Sequence, residues 1–302
     1  MLGVLLSLAA GITYGAADFI GGLASRRSST FSVVIISQLS GLIVLLAVSP
    51  FLPASAPQRS DLTWGLLGGV GGAAGITLLY RGLAIGRMSV VSPVTAVVAA
   101  IVPLVVGLAL GERPTLIALV GIAIALVAVV LVSSAEAPGE PASNAAPGLV
   151  AMASSAARST ARGFLAQPGV PEALLSGVAI GAFYVCLART HAAAGLWPLA
   201  CSRGASIALL ATLALGLRRP LVPGRGGLLI ISFAGVLDML ANALYLIATK
   251  VGLLSIVAVL ASLYPASTVL LARMVLHERL NRVQLVGVCC ALIAVALIAG
   301  GT

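Results

Sequence analysis

Three charged residues stand inside stretches that are otherwise apolar or small: Asp18 in "LSLAAGITYGAADFIGGLASRR", Arg203 in "LACSRGASIALL" and Asp238 in "FAGVLDMLANALY". A charge held in hydrocarbon costs a few kcal/mol even on lenient scales, so each is a candidate for handling an ion or a charged substrate. At 1.5 Å of rise per residue, Asp18 lies roughly 10 Å from the Arg26–Arg27 end of its segment. Asp238 lies roughly 15 Å from either end of its own, and Arg203 roughly 20 Å from the side on which Arg26 sits. Arg203 and Asp238 are therefore within side-chain reach in depth, on segments joined by a short loop.

Other polar and aromatic side chains fall on the same segments. Tyr14 and Asp18 are spaced i, i+4 and share a helix face. Asp238, Asn242 and Tyr245, at i, i+4 and i+7, form one stripe that lipid could not satisfy. Phe183, Tyr184 and Tyr264 add rings, and Gln38 takes the place of Arg203 when "SQ" is aligned with "SR". These ten residues are the candidate pathway for a substrate or ion. The bland alternative makes Arg203–Asp238 a structural ion pair, turns Asp18 back to Arg26 or Arg27, and leaves the rings to packing. The functional alternative makes Asp18 a carboxylate that carries a proton or binds a substrate amine.

Catalysis finds little support. His191 and His277 lie at segment ends, and no Ser/His, His/Glu or paired-Asp constellation shares a face. No metal or cofactor site is expected. The cysteines 186, 201, 289 and 290 all lie within apolar runs and read as packing residues. "GLLGGVGGAAG", from Gly65 to Gly75, lacks the strand and the Lys-Ser/Thr ending of a nucleotide loop. It reads as a surface for close helix approach. Pro93, Pro103 and Pro265 are expected to kink their helices by removing backbone hydrogen bonds.

The elements that position these residues must be membrane helices. The 302-residue chain is 60% hydrophobic and 8% charged, against about 25% charged for a soluble domain, which excludes a soluble fold. Ten apolar runs approach the ~20 residues a span requires. They cover 2–23, 31–51, 63–84, 90–110, 115–133, 172–190, 196–217, 227–249, 253–275 and 283–300. The expected fold class is all-α, a polytopic membrane protein of ten transmembrane helices. The stretch 134–171 is a linker, its second part either disordered or a short interfacial helix with Arg158 and Arg162 outward. The net charge of +9 comes from scattered Lys and Arg with no basic tract, so a nucleic-acid partner is not expected. The first run lacks the basic flank of a cleavable leader.

The linker separates two similar halves, 1–133 and 172–302. "LGER" at 110–113 matches "LHER" at 276–279, each followed by a Gly nine residues after the Glu, Gly121 and Gly287. "LLY" at 78–80 matches "ALY" at 243–245, and "LLS" recurs at 5–7 and 174–176 ahead of Tyr14 and Phe183. Five helices per half force opposite orientations, the inverted repeat typical of transporters. Glu112 and Glu278 read as structural residues at the starts of the fifth and tenth helices, where a carboxylate meets the positive end of the helix dipole.

With these features the chain resembles the EamA-type drug/metabolite transporters: five plus five helices, a Tyr-Gly pair in helix 1, and a Glu closing helices 4 and 9. It departs in carrying Tyr14 where Trp is common and in its long linker. The resemblance implies a basket in which helices 1–4 and 6–9 line a central cavity and helices 5 and 10 stand outside. It implies a secondary transporter in the inner or plasma membrane that exports small metabolites, amino acids or drugs by alternating access. Expected partners are that substrate, protons and the bilayer, with the chain a monomer or homodimer. The competing functions are a non-transporting scaffold or sensor and a membrane-embedded enzyme. Orientation divides the two lines of reasoning. Twelve Lys or Arg fall in odd-numbered gaps and four in even-numbered ones, which puts both termini outside, whereas the resemblance implies cytoplasmic termini.

Overall fold

A computed structural model describes residues 1–51, 56–86, 88–132, 167–223, 227–276 and 282–301. The 134–171 linker, with its Arg158 and Arg162, lies outside these residues except for 167–171; so do His277 and Glu278. The described residues are helical with no strand. The helices are α1 (Leu2–Ser25), α2 (Thr30–Val48), α3 (Arg59–Ile85), α4 (Met88–Ala109), α5 (Leu116–Val132), α6 (Val170–Ala188), α7 (Trp197–Gly216), α8 (Leu228–Val251), α9 (Leu254–Ala261), α10 (Tyr264–Leu276) and α11 (Arg282–Gly300). The chain is a polytopic membrane protein: α1, α2, α3, α4, α6, α7 and α8 are long and apolar enough to span a bilayer, while the helical stretches from 116, 254 and 285 are shorter.

Local chemistry sets the boundaries. The backbone N–H of Gln58 donates to Asp61 Oδ2 at 3.0 Å and closes the first turn of α3. Pro171 and Pro198 occupy the first turns of α6 and α7, where an N–H is not needed. Gly111, at φ +92°, turns the chain out of α4. The ninth run is not one helix. It breaks between α9 and α10 at Ser262–Leu263, and Pro265 sits in the first turn of α10 rather than inside a continuous helix. Pro93 and Pro103, by contrast, are accommodated inside α4.

Polarity is arranged inside out. Large apolar side chains such as Leu5, Ile12, Leu67, Leu229 and Phe233 are exposed, while Asp18, Gln38, Arg203, Asp238 and Asn242 are buried. Packing is close where glycine permits it. α8 lies so near α2 that a Cβ on Gly235 would overlap the backbone of Ser37. On the α3 side, a Cβ on Gly69 would stand 2.5 Å from the Ser202 carbonyl oxygen of α7. The α2–α8 approach sets Gln38 beside Asp238, and α7, which packs on both α2 and α3, brings Arg203 to them. α5 packs against α11, away from that place, and α1 packs against α8 and α10.

Candidate functional site

α1, α2, α3, α6, α7, α8 and the start of α10 surround a cavity of about 50 Å³. Nine of the ten candidate residues line it: Tyr14, Asp18, Gln38, Phe183, Tyr184, Arg203, Asp238, Asn242 and Tyr264. Tyr245 does not. It is fully buried behind the wall, stacked on Tyr184 with ring centroids 4.1 Å apart. α4 contributes no lining residue either, contrary to the expectation that helices 1–4 all line the cavity. Its Ser92 carbonyl holds Tyr264 from behind, accepting the phenol O–H at 3.3 Å.

The charged core of the cavity is a guanidinium between two acceptors. Arg203 Nη1 donates to Gln38 Oε1 and Nη2 to Asp238 Oδ2. Arg203 and Asp238, placed at one depth by their positions in sequence, thus meet as an ion pair with side chains only 7% and 10% exposed. Asn242 extends the network. Its Nδ2 donates to the Asp238 carbonyl at 2.7 Å, and its Oδ1 accepts the Tyr14 hydroxyl at 2.9 Å. Tyr14 lies 6.0 Å from Tyr184, which lies 5.7 Å from Phe183, so three rings form one side of the cavity.

Asp18 stands differently. It is 5% exposed and lines the cavity, and among the described residues it has no ion pair and its carboxyl group accepts no hydrogen bond. Arg26 and Arg27 do not reach it. Ser206, one turn along α7 from Arg203, is likewise 1% exposed, lines the cavity, and has an Oγ with no hydrogen-bond partner. Asp238 is matched by Arg203, and Asp18 is the cavity's carboxyl group without a counter-ion among the described residues.

Sequence reasoning missed Ser202, Ser206, Gly72, Ile76, Leu79 and Ile180 as lining residues. Of these only Ser206 carries a signal, its i+3 spacing from Arg203. The set offers acceptors, rings and one fixed ion pair. It has no nucleophile with an adjacent base, and the described residues hold no His/Cys/Asp/Glu group suited to a metal ion. Such a set can bind and orient a small polar molecule inside a membrane.

At one end of the bundle a second polar cluster ties helix ends together. Asp61 Oδ1 accepts the His191 backbone N–H at 2.7 Å and approaches His191 Nδ1 at 2.9 Å. Lys250 Nζ donates to the carbonyl oxygens of Leu187 and Ala188 in the last turn of α6 and of Thr190 just beyond it, at 3.1, 3.3 and 2.6 Å. Glu112 is a cap, but not for the helix it precedes. Its carboxylate accepts the backbone N–H groups of Leu254 at 2.7 Å and Ser255 at 3.0 Å, and so closes α9 rather than α5. Cys186, Cys201, Cys289 and Cys290 are free thiols, and Cys289 is exposed.

Known proteins resemble the chain at two scales. An uncharacterized protein of Methanocaldococcus jannaschii is 23% identical over 130 residues, which are 43% of this chain but 95% of that one. A solved crystal structure superposes on 96% of this chain and 98% of its own length, with a TM-score of 0.69 at 17% identity, a likeness of fold. The EamA-like transporter family model matches twice, over residues 1–134 and again over 167–300. The membrane-spanning helices and the buried polar cavity fit that match, and the chain belongs to the EamA-like transporter family, membrane transporters of small molecules within the drug/metabolite superfamily.

Proposed function

We propose that this protein is a secondary transporter that exports a small metabolite or drug-like molecule across the cell's inner or plasma membrane by alternating access. Its two units are residues 1–133 and 172–302, five spans each and inverted relative to one another, with α9 and α10 together forming the ninth span. The double family match supports this division, as does a relative of which 130 residues make up 95%. The observation that carries the reading is the cavity: an ion pair, an unpaired carboxylate and four aromatic rings enclosed between membrane helices. Groups so costly to bury are retained where they meet a substrate. No nucleotide-binding motif occurs in the sequence, so the driving force is an ion gradient or the substrate's own gradient.

The test is a comparison of metabolites inside and outside cells with and without the protein, repeated for Asp18→Asn. One or more small metabolites should leave faster with the protein, and Asp18→Asn should abolish the difference. Equal profiles, or efflux and pH dependence unchanged by Asp18→Asn, would reject the role given to this cavity.

A further inference from the structure

We propose that the cavity takes a small organic ammonium, a molecule with one net positive charge on a nitrogen that bears N–H groups. This inference names a substrate class for the site above and rests on the transport reading. The missing partner comes first. Arg203 is already engaged by Asp238 and Gln38, so the carboxyl group left without a counter-ion is that of Asp18, 5% exposed and with no partner among the described residues. An uncompensated buried charge is the expensive state, and a ligand that cancels it gains what the protein alone lacks. A cation supplies that counter-ion. A neutral molecule or a zwitterion brings no net charge to set against Asp18. An anion brings the wrong sign and must compete with Asp238 for Arg203.

Hydrogen bonding points the same way. The Asp18 carboxylate and Ser206 Oγ, both in the cavity wall and neither with a hydrogen-bond partner among the described residues, present oxygen lone pairs. An ammonium supplies N–H donors to such acceptors, which a tetra-alkylated nitrogen cannot do. The rings of Tyr14, Phe183 and Tyr184 offer a surface that favours both a cation and its alkyl carbon. Size is limited. A volume of about 50 Å³ has room for about four waters, and so for a molecule of about half a dozen heavy atoms.

Four compounds of one skeleton separate the terms: alaninamide as the cation, alanine as the zwitterion, lactamide as the neutral form and lactate as the anion. Their binding to the purified protein in detergent is measured by calorimetry near neutral pH. Alaninamide should bind at least about tenfold more tightly than the other three, the scale of a hydrogen bond to a charged group. Asp18→Asn should remove that preference. Ser206→Ala, which deletes one hydroxyl and keeps the fold, should weaken alaninamide by several-fold and leave lactamide unchanged. Equal binding of all four, binding of none, or tighter binding of alanine or lactate would overturn the assignment. So would a preference that survives Asp18→Asn. The same compounds loaded into proteoliposomes keep the two proposals apart. Alaninamide that binds but does not cross leaves the ammonium site standing and removes the transport reading; compounds that cross without regard to charge do the reverse.

Discussion

Removing Arg203 tests the charge arithmetic of the cavity most directly. Arg203→Met deletes the only guanidinium that lines it and leaves two carboxylates, Asp18 and Asp238, facing one small cavity. Breaking a buried pair by removing one partner costs about 3–5 kcal/mol, because the other charge stays behind unpaired. Asp238→Asn is a milder change. It leaves Arg203 with Gln38 and with the negative charge of Asp18 in the same cavity, so the expected loss is the hydrogen-bond share, about 1–3 kcal/mol. The double variant leaves no unpaired charge at Asp238, and should be more stable than Arg203→Met alone. At about 2–3 °C per kcal/mol for a chain of this size, Arg203→Met should lower the unfolding midpoint by about 6–15 °C. The midpoint is followed in one detergent by the fluorescence of Trp64 and Trp197. Additive losses in the double variant, or a larger loss for Asp238→Asn than for Arg203→Met, would refute the bookkeeping.

Three other outcomes follow from the packing and the caps. Gly235→Ala places a methyl group against the backbone of Ser37, forces α2 and α8 apart, and should cost about 1–3 kcal/mol while weakening binding in the cavity; an unchanged midpoint would contradict the contact. Glu112→Ala uncaps α9 and should cost about 1–2 kcal/mol, with hydrogen exchange accelerated at Leu254 and Ser255 and not at the start of α5. Asp61→Ala removes the acceptor of the His191 and Gln58 backbone N–H groups, so hydrogen exchange should quicken at both residues and stability should fall by about 1–3 kcal/mol; protection retained at His191 would show that the tie is not needed.

The bilayer made the charged centre legible. A lone Asp or Arg among Leu, Ala and Gly stands out because hydrocarbon makes it costly, so Asp18, Arg203 and Asp238 were visible before any geometry was. The apolar runs were legible for the same reason, although length alone could not show that Ser262 and Leu263 interrupt the ninth. There the N–H of Leu263 bonds to the Leu260 carbonyl as a tight turn, and Pro265 has no N–H to carry a continuous helix past it. Tyr245 shows what a shared face leaves out. It lies on the stripe of Asp238 and Asn242, but seven residues from Asp238 means about 10 Å along the axis, beyond the end of the cavity. Ile76, Leu79 and Ile180 gave no signal, because such residues face lipid as often as they face a cavity. Glu112 misled through proximity: α5 follows it in sequence, while the N-terminus that needs its carboxylate belongs to α9.

The guanidinium of Arg203 does more than neutralise Asp238. Gln38 lies in the first family match and Arg203 in the second, and the two side chains meet. An amide and a guanidinium thus form a bond between the two matched segments. Asn242 and Tyr14 form a second one, with the tyrosine from the first half and the amide from the second. Both bonds lie in the wall of the cavity, so α2 or α1 cannot move away from α7 and α8 without exposing a donor or an acceptor to a site that holds only a few waters. A ligand that supplies new partners at that moment lowers the cost of the movement, and a site left empty does not. The polar groups that tie α1 and α2 to α7 and α8 are thus the same ones that a molecule in the cavity would meet.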